Sequence, residues 1–233
     1  MTATENPIHG KTGQNITPII EDYLKAIYTL EQREGQVRTV ALAGVLRVKP
    51  PTVTAMLKTL ADLQFIEYEP YRGVKLTNSG EQIALEVIRH HRLIELYLVK
   101  ALGFSWDEVH DEAEVLEHFI SEKLEARIAD YLGDPTHDPH GDPIPTLDGI
   151  LPANKATSLA DFKLKAKVRV VRVRDQQPER LRYLAALGIV PDASLKIVGS
   201  EPFEGPIIVG IGAKTRALDR KLAQTIMVEA IET

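Results

Sequence analysis

The sequence contains no cysteine among its 233 residues. This absence excludes disulfides, thiolate zinc sites, iron–sulfur clusters and cysteine nucleophiles, so any bound metal ion must be held by oxygen and nitrogen atoms. The chain also lacks an uninterrupted apolar run of about 18 residues, which a membrane-spanning helix requires. Residues 1–15 are polar and do not resemble a signal peptide. We therefore expect a globular protein of the cytoplasm.

An excess of basic residues is also missing, since the net charge is −5. Such a charge usually argues against a nucleic-acid partner, because lysine and arginine supply most of the affinity for phosphate. The charge is, however, unevenly distributed. The segment from Arg33 to Lys75 holds seven bases and four acids, whereas Ser105 to Asp142 holds twelve acids and two bases. This pattern predicts a basic N-terminal region that can approach DNA and an acidic centre.

The N-terminal region has the pattern of a winged helix-turn-helix. Thr17-Pro18 begins a helical pattern of apolar residues, and a second, short helix is predicted from Val40 to Leu46. The run Lys49-Pro50-Pro51 indicates a turn that leads into a third helix, because proline is favoured in the first helical turn. A β-hairpin, or wing, is predicted after that helix from strand-like runs at 65–68 and 74–76.

The rest of the chain divides into a helical centre and a small β domain. Two helices, predicted from Asn78 to Ala101 and from Ser105 to Leu132, carry more apolar surface than one face needs, as dimerisation helices do. Short strands with one helix then predict a C-terminal SH3-like barrel, so the expected fold class is mainly α with a small β domain. The predicted domains are a flexible leader (1–16), a winged helix-turn-helix domain (17–77), a helical metal-binding and dimerisation domain (78–152), a linker (153–162) and an SH3-like domain (163–233).

Potential metal ligands repeat at helical spacing in the acidic centre. On a helical wheel, an arc of about 100° contains His110, Glu114, Glu117 and His118. The preceding helix supplies another imidazole and carboxylate four residues apart, His91 and Glu95. Carboxylate oxygens combined with imidazole nitrogens suit Mn²⁺, Fe²⁺ or Zn²⁺.

Each of these residues also has an ordinary structural interpretation. A single histidine on such a helix is commonly a core residue bonded to a neighbour, and carboxylates at helical spacing usually form a solvated face. The combination is harder to explain in this way, because carboxylates repel each other between apolar helices unless a cation compensates. The segment from His137 to Asp142 also holds histidine and aspartate, but its regular prolines indicate a rigid loop.

Four separated motifs resemble the diphtheria-toxin-repressor family of metal-dependent regulators. They are Glu21 to Tyr28, Val48 to Thr54, His90 to Glu95 and Val109 to His118. The resemblance continues through Asp138 to Pro145 and into a C-terminal module similar to that family's SH3-like, FeoA-type domain. It covers nearly the whole chain after residue 17. The resemblance implies a metal-dependent DNA-binding regulator without enzymatic activity, acting as a repressor of metal-uptake genes.

The resemblance also implies two metal sites when the family's ligands are carried over by position. The primary site falls on Asp22, Glu114, Glu117 and His118, and the ancillary site on His91, Glu95 and His110. The family's C-terminal module can donate further ligands, which makes Gln177 and Glu179 weaker candidates, since Arg180 replaces the expected amide. For Glu179, an equally good interpretation is a carboxylate that interacts with a helix dipole.

Two positions bear on the identity of the metal. Iron-sensing members of the family have methionine and cysteine where Asp22 and Glu114 stand, whereas the manganese-sensing branch has carboxylates at both. Oxygen in place of sulfur favours the harder ion, so we expect Mn²⁺, with Fe²⁺ second. The manganese branch tends to have glutamate at the position of Lys25. A charged lysine cannot be a ligand, which argues against a two-manganese arrangement at this place.

The second helix of a helix-turn-helix enters the major groove with its N-terminal residues against the bases. Here the predicted base-facing residues are Pro51, Thr52, Thr54, Ala55 and Lys58. Their side chains can read thymine methyl groups and a few polar edges, so part of the specificity is expected to come from DNA shape. The predicted phosphate contacts are Arg47, Lys49 and Arg72, each of which also fits a solvated surface charge.

Asp22 lies in the predicted DNA-binding domain, whereas the other implied primary ligands lie in the helical centre. One cation can therefore join the two domains and set the spacing of a dimer on a palindromic operator. Two other functions remain compatible with the residues: a winged-helix regulator that answers to an organic ligand, and a metal-dependent hydrolase, which lacks an evident general base here. A peptide-binding SH3 module is less compatible, because the C-terminal region offers few aromatic residues, namely Phe162, Tyr183 and Phe203.

Overall fold

The computed structural model describes residues 16–69, 73–152 and 156–231. The chain divides into two compact units. The first unit contains the chain up to His91 together with Glu114–Tyr131 and Pro145–Ile150. The second contains Arg92–Ala113, Leu132–Ile144 and the chain from Leu151 onward.

The first unit begins with three helices, α1 (Pro18–Glu34), α2 (Thr39–Val45) and α3 (Pro50–Asp62). The Thr17 hydroxyl accepts a hydrogen bond from the Ile20 amide, and Pro18 occupies the first turn of α1, as the sequence predicted. The axes of α2 and α3 differ in direction by 107°. This angle is typical of a helix-turn-helix. The face of α3 that contains Val53, Leu57 and Leu60 is buried, and residues on its opposite face are exposed.

No single described helix is long and apolar enough to cross a membrane; taken together as one bent segment, α2 and α3 would pass the same test by length and composition.

The predicted wing is present as an antiparallel hairpin. Its strands are β1 (Ile66–Glu69) and β2 (Gly73–Leu76), with Ile66 paired to Leu76 at the base. Val74 also pairs with Val37, which attaches the hairpin to the turn between α1 and α2. Arg72, a predicted phosphate contact, lies outside the described residues.

Three further helices follow, α4 (Asn78–Leu102), α5 (Val109–Leu116) and α6 (Glu122–Leu132). The prediction of one helix from Ser105 to Leu132 is therefore wrong. A continuous helix would bond the Glu117 carbonyl to the Ser121 amide, but this carbonyl accepts a hydrogen bond from His90 Nδ1 at 3.2 Å. Ser121 begins a new helix, since its hydroxyl accepts from the Leu124 amide at 3.3 Å. As a result, Glu117 and His118 lie in a turn and not on a helical stripe.

The second unit contains a six-stranded antiparallel sheet with two short helices. Its elements are β3 (Thr157–Ser158), β4 (Lys167–Val173), α7 (Pro178–Leu187), β5 (Ser194–Ser200), β6 (Ile207–Ile211), β7 (Lys214–Leu218), α8 (Arg220–Thr225) and β8 (Ile226–Ala230). The strand order is β3-β8-β4-β5-β6-β7. The small β domain is confirmed, but the sheet is not a closed barrel in the described residues, because β3 and β7 at its two edges do not pair. A strand of two residues, as β3 is, offers too few backbone hydrogen bonds to close it.

A loop from Thr136 to Ile144 lies directly against β4. Gly141 has a φ of 86°, and a Cβ atom at this position would lie 1.9 Å from the Val171 carbonyl oxygen. The Val173 amide donates to the His140 carbonyl at 2.8 Å. Only glycine permits this approach, and the contact buries the polar side chains of the loop.

Candidate metal centre and DNA-binding surface

Seven polar side chains meet within the first unit, and we refer to them as the primary cluster. They are Glu21, Asp22, Lys25, His91, Glu114, Glu117 and His118. One potential ligand atom from each of Asp22, Glu117 and His118 lies within 4.8 Å of the other two. Three of the four residues predicted for the primary site are thus close together. The fourth, Glu114, is turned toward Lys25 at 2.7 Å.

His118 is oriented by carboxylates on both sides of its ring. Its Nδ1 donates to Glu21 Oε2 at 2.5 Å, and its Nε2 lies 3.1 Å from Asp22 Oδ1. Burial by itself lowers the pKa of His118, but the hydrogen bonds to Asp22 and Glu21 outweigh it and raise this pKa to about 10. A metal ion that binds Nε2 at neutral pH must therefore displace a proton.

Glu21 is a buried contact of the predicted ligand His118 that sequence reasoning missed. Its side chain is only 5% exposed. Because its carboxylate accepts the Nδ1 proton of His118, it leaves Nε2 as the nitrogen that can bind a metal. The available signal was a charged residue among buried positions of α1 that are otherwise occupied by apolar and aromatic side chains.

Lys25 lies at the centre of the primary cluster. Its Nζ is 2.9 Å and 2.8 Å from the two carboxylate oxygens of Glu117 and 3.2 Å from His91 Nδ1. His91 Nδ1 in turn lies 2.5 Å from Glu117 Oε2. His91, which was predicted as an ancillary ligand, therefore contacts a predicted primary ligand.

A second layer of buried groups holds the turn that carries Glu117. His90 Nε2 lies 3.3 Å from Glu125, while Arg89 donates to Glu125 at 2.5 Å and to the Pro145 carbonyl at 2.7 Å. Burial lowers the pKa of His90, but the hydrogen bond and charge of Glu125 raise it overall. A positively charged His90 thus holds the Glu117 carbonyl and the start of α6 together.

The other two predicted ancillary residues, Glu95 and His110, lie in the second unit. Glu95 stands between two imidazoles, with its Oε1 3.5 Å from His110 Nδ1 and its Oε2 3.5 Å from His140 Nδ1. Nε2 of His140 donates to the Trp106 carbonyl at 2.7 Å. Although burial lowers the pKa of His140, its interactions with Glu95 raise this pKa to about 9. The sequence did not assign His140 to a site.

Several other charges of the second unit surround Glu95, and we call the whole group the loop cluster. Its members are Arg92, Glu95, Asp138, His140, Asp142 and Arg172. Potential ligand atoms of Glu95, Asp138 and His140 lie within 4.8 Å of one another. The sequence indicated a rigid loop here, but not that the charges of this loop are buried.

Hydrogen bonds attach the loop cluster to the fold. Asp138 Oδ1 accepts from the amides of His140 and Asp142 at 2.8 Å and 2.9 Å. Asp142 pairs with Arg172 on β4 and lies 3.7 Å from Arg92. Burial raises the pKa of Asp138 well above its usual value, and the charges of Asp142 and Glu95 add to this effect.

The two weaker candidates from the C-terminal module lie at the start of α7. Gln177 is the N-cap residue, and the Glu179 side chain is 80% exposed and lies 3.8 Å from Arg182. Arg180 pairs with Asp175. Within the described residues, Glu179 belongs to no group of histidine and carboxylate side chains that could hold a metal ion.

The predicted DNA contacts that the structure describes lie on α3 and in the turn just before it. Arg47 and Lys49 are exposed in the turn, where Arg47 adopts a φ of 54°. Of the predicted base-facing residues of α3, four are exposed: Pro51, Thr52, Ala55 and Lys58. Thr54 is half-buried, and its hydroxyl donates to the Pro50 carbonyl at 3.1 Å. A base contact by Thr54 therefore requires this hydrogen bond to be exchanged or shared.

The donor atoms of the primary cluster fit a divalent ion of intermediate hardness. Asp22 and Glu117 offer oxygen atoms, and His118 offers an imidazole nitrogen whose orientation is already set. Mn²⁺ and Fe²⁺ accept this combination. The fully buried Glu117 carboxylate needs positive charge in its surroundings, which Lys25 supplies in this structure and which a bound divalent ion would also supply.

Comparisons with known proteins match all three parts of the chain. Residues 15–74 match the N-terminal DNA binding domain of the iron dependent repressors, 77–146 their metal binding and dimerisation domain, and 157–230 the FeoA domain. A helix-turn-helix joined to a metal-binding dimerisation domain defines a metal-dependent transcriptional regulator. The chain belongs to the iron-dependent-repressor family, whose members include the diphtheria toxin repressor of Corynebacterium diphtheriae.

Relatives named for iron and for manganese both resemble the chain. The iron-dependent repressor IdeR of Mycobacterium tuberculosis is 32% identical over 223 residues, which cover 91% of this chain and 96% of IdeR. A solved structure of a manganese-dependent transcriptional repressor in complex with manganese has a TM-score of 0.84 and 40% identity, covering 91% of this chain and 100% of the other. A structure of ScaR with bound Cd²⁺ has a TM-score of 0.77 and 32% identity, covering 91% and 99%.

Proposed function

We propose that the chain is a Mn²⁺-responsive repressor, with Fe²⁺ as the second choice, whose metal ion joins the DNA-binding helices to the dimerisation helices. The ligands are Asp22, Glu114, Glu117 and His118. The observation that carries this proposal is the 3.1 Å distance between Asp22 Oδ1 and His118 Nε2. Asp22 lies on α1 of the helix-turn-helix, whereas His118 lies in the turn between α5 and α6.

A bound divalent ion supplies the attraction that holds these two elements together. The packing of the protein keeps both elements, α1 and the turn between α5 and α6, rigid. Leu24 and Ile27 bury α1 against its neighbours, so a change in the position of Asp22 also moves the helix-turn-helix. On the other side, His90 and Glu125 hold the turn that carries the remaining ligands. Metal binding therefore favours one direction of α3 over others, which is the requirement for coupling to DNA.

The choice of Mn²⁺ over Fe²⁺ rests on the donor atoms. Asp22 and Glu114 offer hard oxygen atoms at two of the four positions, and Glu117 offers a third. Hard oxygen ligands favour Mn²⁺ relative to the later, softer transition metals. The solved manganese complex, at 40% identity, supports the same choice.

On the DNA side, we propose that Arg47, Lys49 and Arg72 contact phosphates. The base-facing residues are Pro51, Thr52, Thr54, Ala55 and Lys58. The exposure of Arg47 and Lys49 beside the exposed face of α3 supports this assignment. The partner is a palindromic operator in double-stranded DNA, bound in the cytoplasm, and the chain has no enzymatic role.

The palindrome follows from a two-fold dimer of the chain. Apolar side chains on α5, on α6 and in the turn between them are left largely exposed, namely Val115 at 63%, Phe119 at 75% and Tyr131 at 65%. Exposed apolar residues this close in sequence are typical of a surface covered by a second copy. Two copies related by a two-fold axis present two α3 helices to two half-sites.

We also propose an ancillary ion site around Glu95, His110 and His91, as the resemblance implies. Glu95 and His110 are 3.5 Å apart within the second unit, which supports the pair. His140 is an additional candidate, because its Nδ1 lies 3.5 Å from the other oxygen of Glu95. Crystals grown with MnCl₂ and measured at the manganese absorption edge would show which of these imidazoles is bound.

The decisive experiment measures DNA binding as a function of metal. A duplex is first selected from a random library with the full chain and MnCl₂, and its affinity is then measured by fluorescence anisotropy with MnCl₂ or with EDTA. We expect Mn²⁺ to tighten binding by about tenfold or more, within the range of allosteric coupling. Asp22→Ala should abolish that gain, whereas Glu34→Ala, which removes an exposed carboxylate of the same helix, should keep it. Equal affinity with and without EDTA would contradict the proposal.

A further inference from the structure

The side chain of Lys25 lies among the proposed metal ligands. It lies three residues after Asp22 on α1, so both side chains leave the same face of this helix. Its ammonium group has oxygen neighbours at 2.7 Å, 2.8 Å and 2.9 Å, all of them from Glu114 and Glu117. The side chain is 17% exposed and is thus largely enclosed by these acids. Lys25 is therefore a cation that the chain itself places among the proposed metal ligands.

The contacts of Lys25 overlap with the proposed ligand set. Glu117 belongs to the group of Asp22 and His118 and at the same time directs both of its oxygens at the ammonium. Glu114 Oε1 lies 2.7 Å from the ammonium and 3.9 Å from His91 Nδ1, and Glu114 does not belong to the group formed by Asp22, Glu117 and His118. For Glu114 to bind the same ion as Asp22, its carboxylate must give up Lys25. A divalent ion and Lys25 consequently compete for the same oxygen atoms.

The chemistry of lysine suits such an exchange. An ammonium group is a compact, strongly hydrated charge on a flexible stem, so it can withdraw toward solvent when a stronger cation arrives. The exposed part of the cluster gives it a route, because the Glu114 side chain is 41% exposed. When the ammonium stays in place, it supplies the positive charge that the buried Glu117 requires.

The charge of the cluster also limits how many divalent ions it can accept. Four carboxylates are present, namely Glu21, Asp22, Glu114 and Glu117. One divalent ion and the Lys25 ammonium together neutralise most of this charge, and a second divalent ion would add repulsion at the place that Lys25 occupies. Replacing the ammonium by a carboxylate would remove a positive charge, add a negative one and supply a further oxygen ligand. A second divalent ion would then be attracted to this place and not repelled.

We propose that Lys25 is a built-in competitor of the metal, which weakens Mn²⁺ binding at Glu114 and Glu117 and restricts the primary cluster to a single divalent ion. Lys25 thereby sets the Mn²⁺ concentration at which the regulator responds. This inference rests on the proposed function, because it assigns a role to Lys25 at the same site.

Two substitutions test the inference. Lys25→Met keeps an unbranched side chain of similar size and removes its charge, whereas Lys25→Glu replaces the competitor by a ligand. Lys123→Met, which alters an exposed lysine of α6, serves as the matched control. Full-length proteins are titrated with MnCl₂ by calorimetry, their bound manganese is counted by elemental analysis, and their melting temperatures are measured in EDTA.

We expect Lys25→Met to bind Mn²⁺ about fivefold or more tightly, and to melt at a lower temperature in EDTA because the acids then repel each other. Lys25→Glu should bind one more Mn²⁺ per chain than the wild type. If Lys25→Met does not fold, Lys25→Arg provides the alternative, since its planar guanidinium binds carboxylates more persistently and should weaken Mn²⁺ binding.

The possible outcomes separate the two proposals. If the wild type binds Mn²⁺ and the Lys25 variants bind it with the same affinity and stoichiometry, the role of Lys25 is overturned and the proposed function stays intact. Absence of Mn²⁺ binding in the wild type and in every variant would overturn both. Binding that appears only when Lys25 is replaced would support the competition.

Discussion

The primary cluster and the loop cluster contain the same kinds of residues, but their acids are paired with different cations. In the primary cluster, the side chains of Asp22 and Glu114 are 40% and 41% exposed, and the partner of Glu114 is a lysine. In the loop cluster, the side chains of Asp138 and Asp142 are 1% and 4% exposed, and their partners are arginines. Arginine holds carboxylates through a planar fork of donors, whereas lysine acts as a displaceable point charge.

Under the proposed function, this difference separates a site that can exchange its cation from a network that belongs to the fold. The number of acids does not distinguish them. What distinguishes them is that two carboxylates of the primary cluster, Asp22 and Glu114, are partly exposed to solvent, and that a lysine partner can leave more easily than an arginine.

Breaking the loop cluster should cost the most folding stability. Asp138→Ala removes the acceptor of two backbone amides and a partner of Arg92, so we expect a loss of about 2–4 kcal/mol in the free energy of unfolding. The loss should be similar in MnCl₂ and in EDTA, as measured by urea unfolding. Asp138→Asn keeps an oxygen for both amides and should lose less than half as much. A loss that is present only with Mn²⁺ would show that this cluster also works as an exchangeable site.

Changing the orientation of His118 should weaken metal binding with little effect on the fold. Glu21→Gln replaces the carboxylate that accepts the Nδ1 proton, and outer partners of metal-bound histidines typically contribute about 10–100-fold in affinity. Calorimetric titration with MnCl₂ measures this change. The control is Glu34→Gln on the same helix, which should bind Mn²⁺ as the wild type does. Unchanged affinity in Glu21→Gln would mean that His118 is oriented without Glu21.

The pH dependence should differ in sign between Mn²⁺ binding and the stability of the metal-free chain. Because the pKa of His118 is raised to about 10, its ring carries an extra proton at every pH below that value, and Mn²⁺ must displace this proton in order to bind. Between pH 6 and 8 the affinity should therefore rise by about tenfold per pH unit. Calorimetry in buffers of different ionisation enthalpy should detect about one released proton per ion.

In EDTA, the stability of the metal-free chain should fall as the pH rises, in contrast to the affinity for Mn²⁺. A histidine whose pKa is higher in the folded than in the unfolded chain stabilises the fold fully below the unfolded pKa of about 6.5. This contribution is lost as the pH rises from there toward the folded pKa of about 10. Urea unfolding in EDTA at several pH values measures it, and an increase of stability across this range would contradict the assigned interactions of His118.

The smallest effect is expected at Glu179. Its side chain is exposed and next to Arg182, so removing it by Glu179→Ala should change the affinity for Mn²⁺ by less than about twofold. Glu95→Ala is the contrasting variant, because Glu95 contacts two histidines of the same unit. A large loss in Glu179→Ala would show that the C-terminal module donates a ligand after all.

Much of the architecture was predictable from local patterns. Thr17 and Pro18 mark the start of α1, and the two prolines at 50 and 51 mark the start of α3, because their backbone preferences act within a few residues. The break between α5 and α6 was not predictable in this way. The apolar spacing continues through it, and the break depends on His90, which lies 27 residues before the carbonyl that it binds.

The same distinction applies to the candidate site. The recurrence of imidazole and carboxylate groups in the acidic centre, and the family motifs that contain them, were visible in the chain as written. The roles of Glu21 and Lys25 were not, since an acid or a lysine on a helix usually faces solvent. Only the packing of α1 against the α5–α6 turn shows that both contact the proposed ligands.

The order of the residues alone thus determined the helix-turn-helix, the small β domain, the absence of sulfur ligands from cysteine and the set of oxygen and nitrogen donors. Tertiary structure decided which donors meet, which cation each acid faces and which charges are buried. The physical reason is that helix starts and turns follow from interactions between near neighbours in the chain, whereas burial and the pairing of charges depend on residues far apart in sequence.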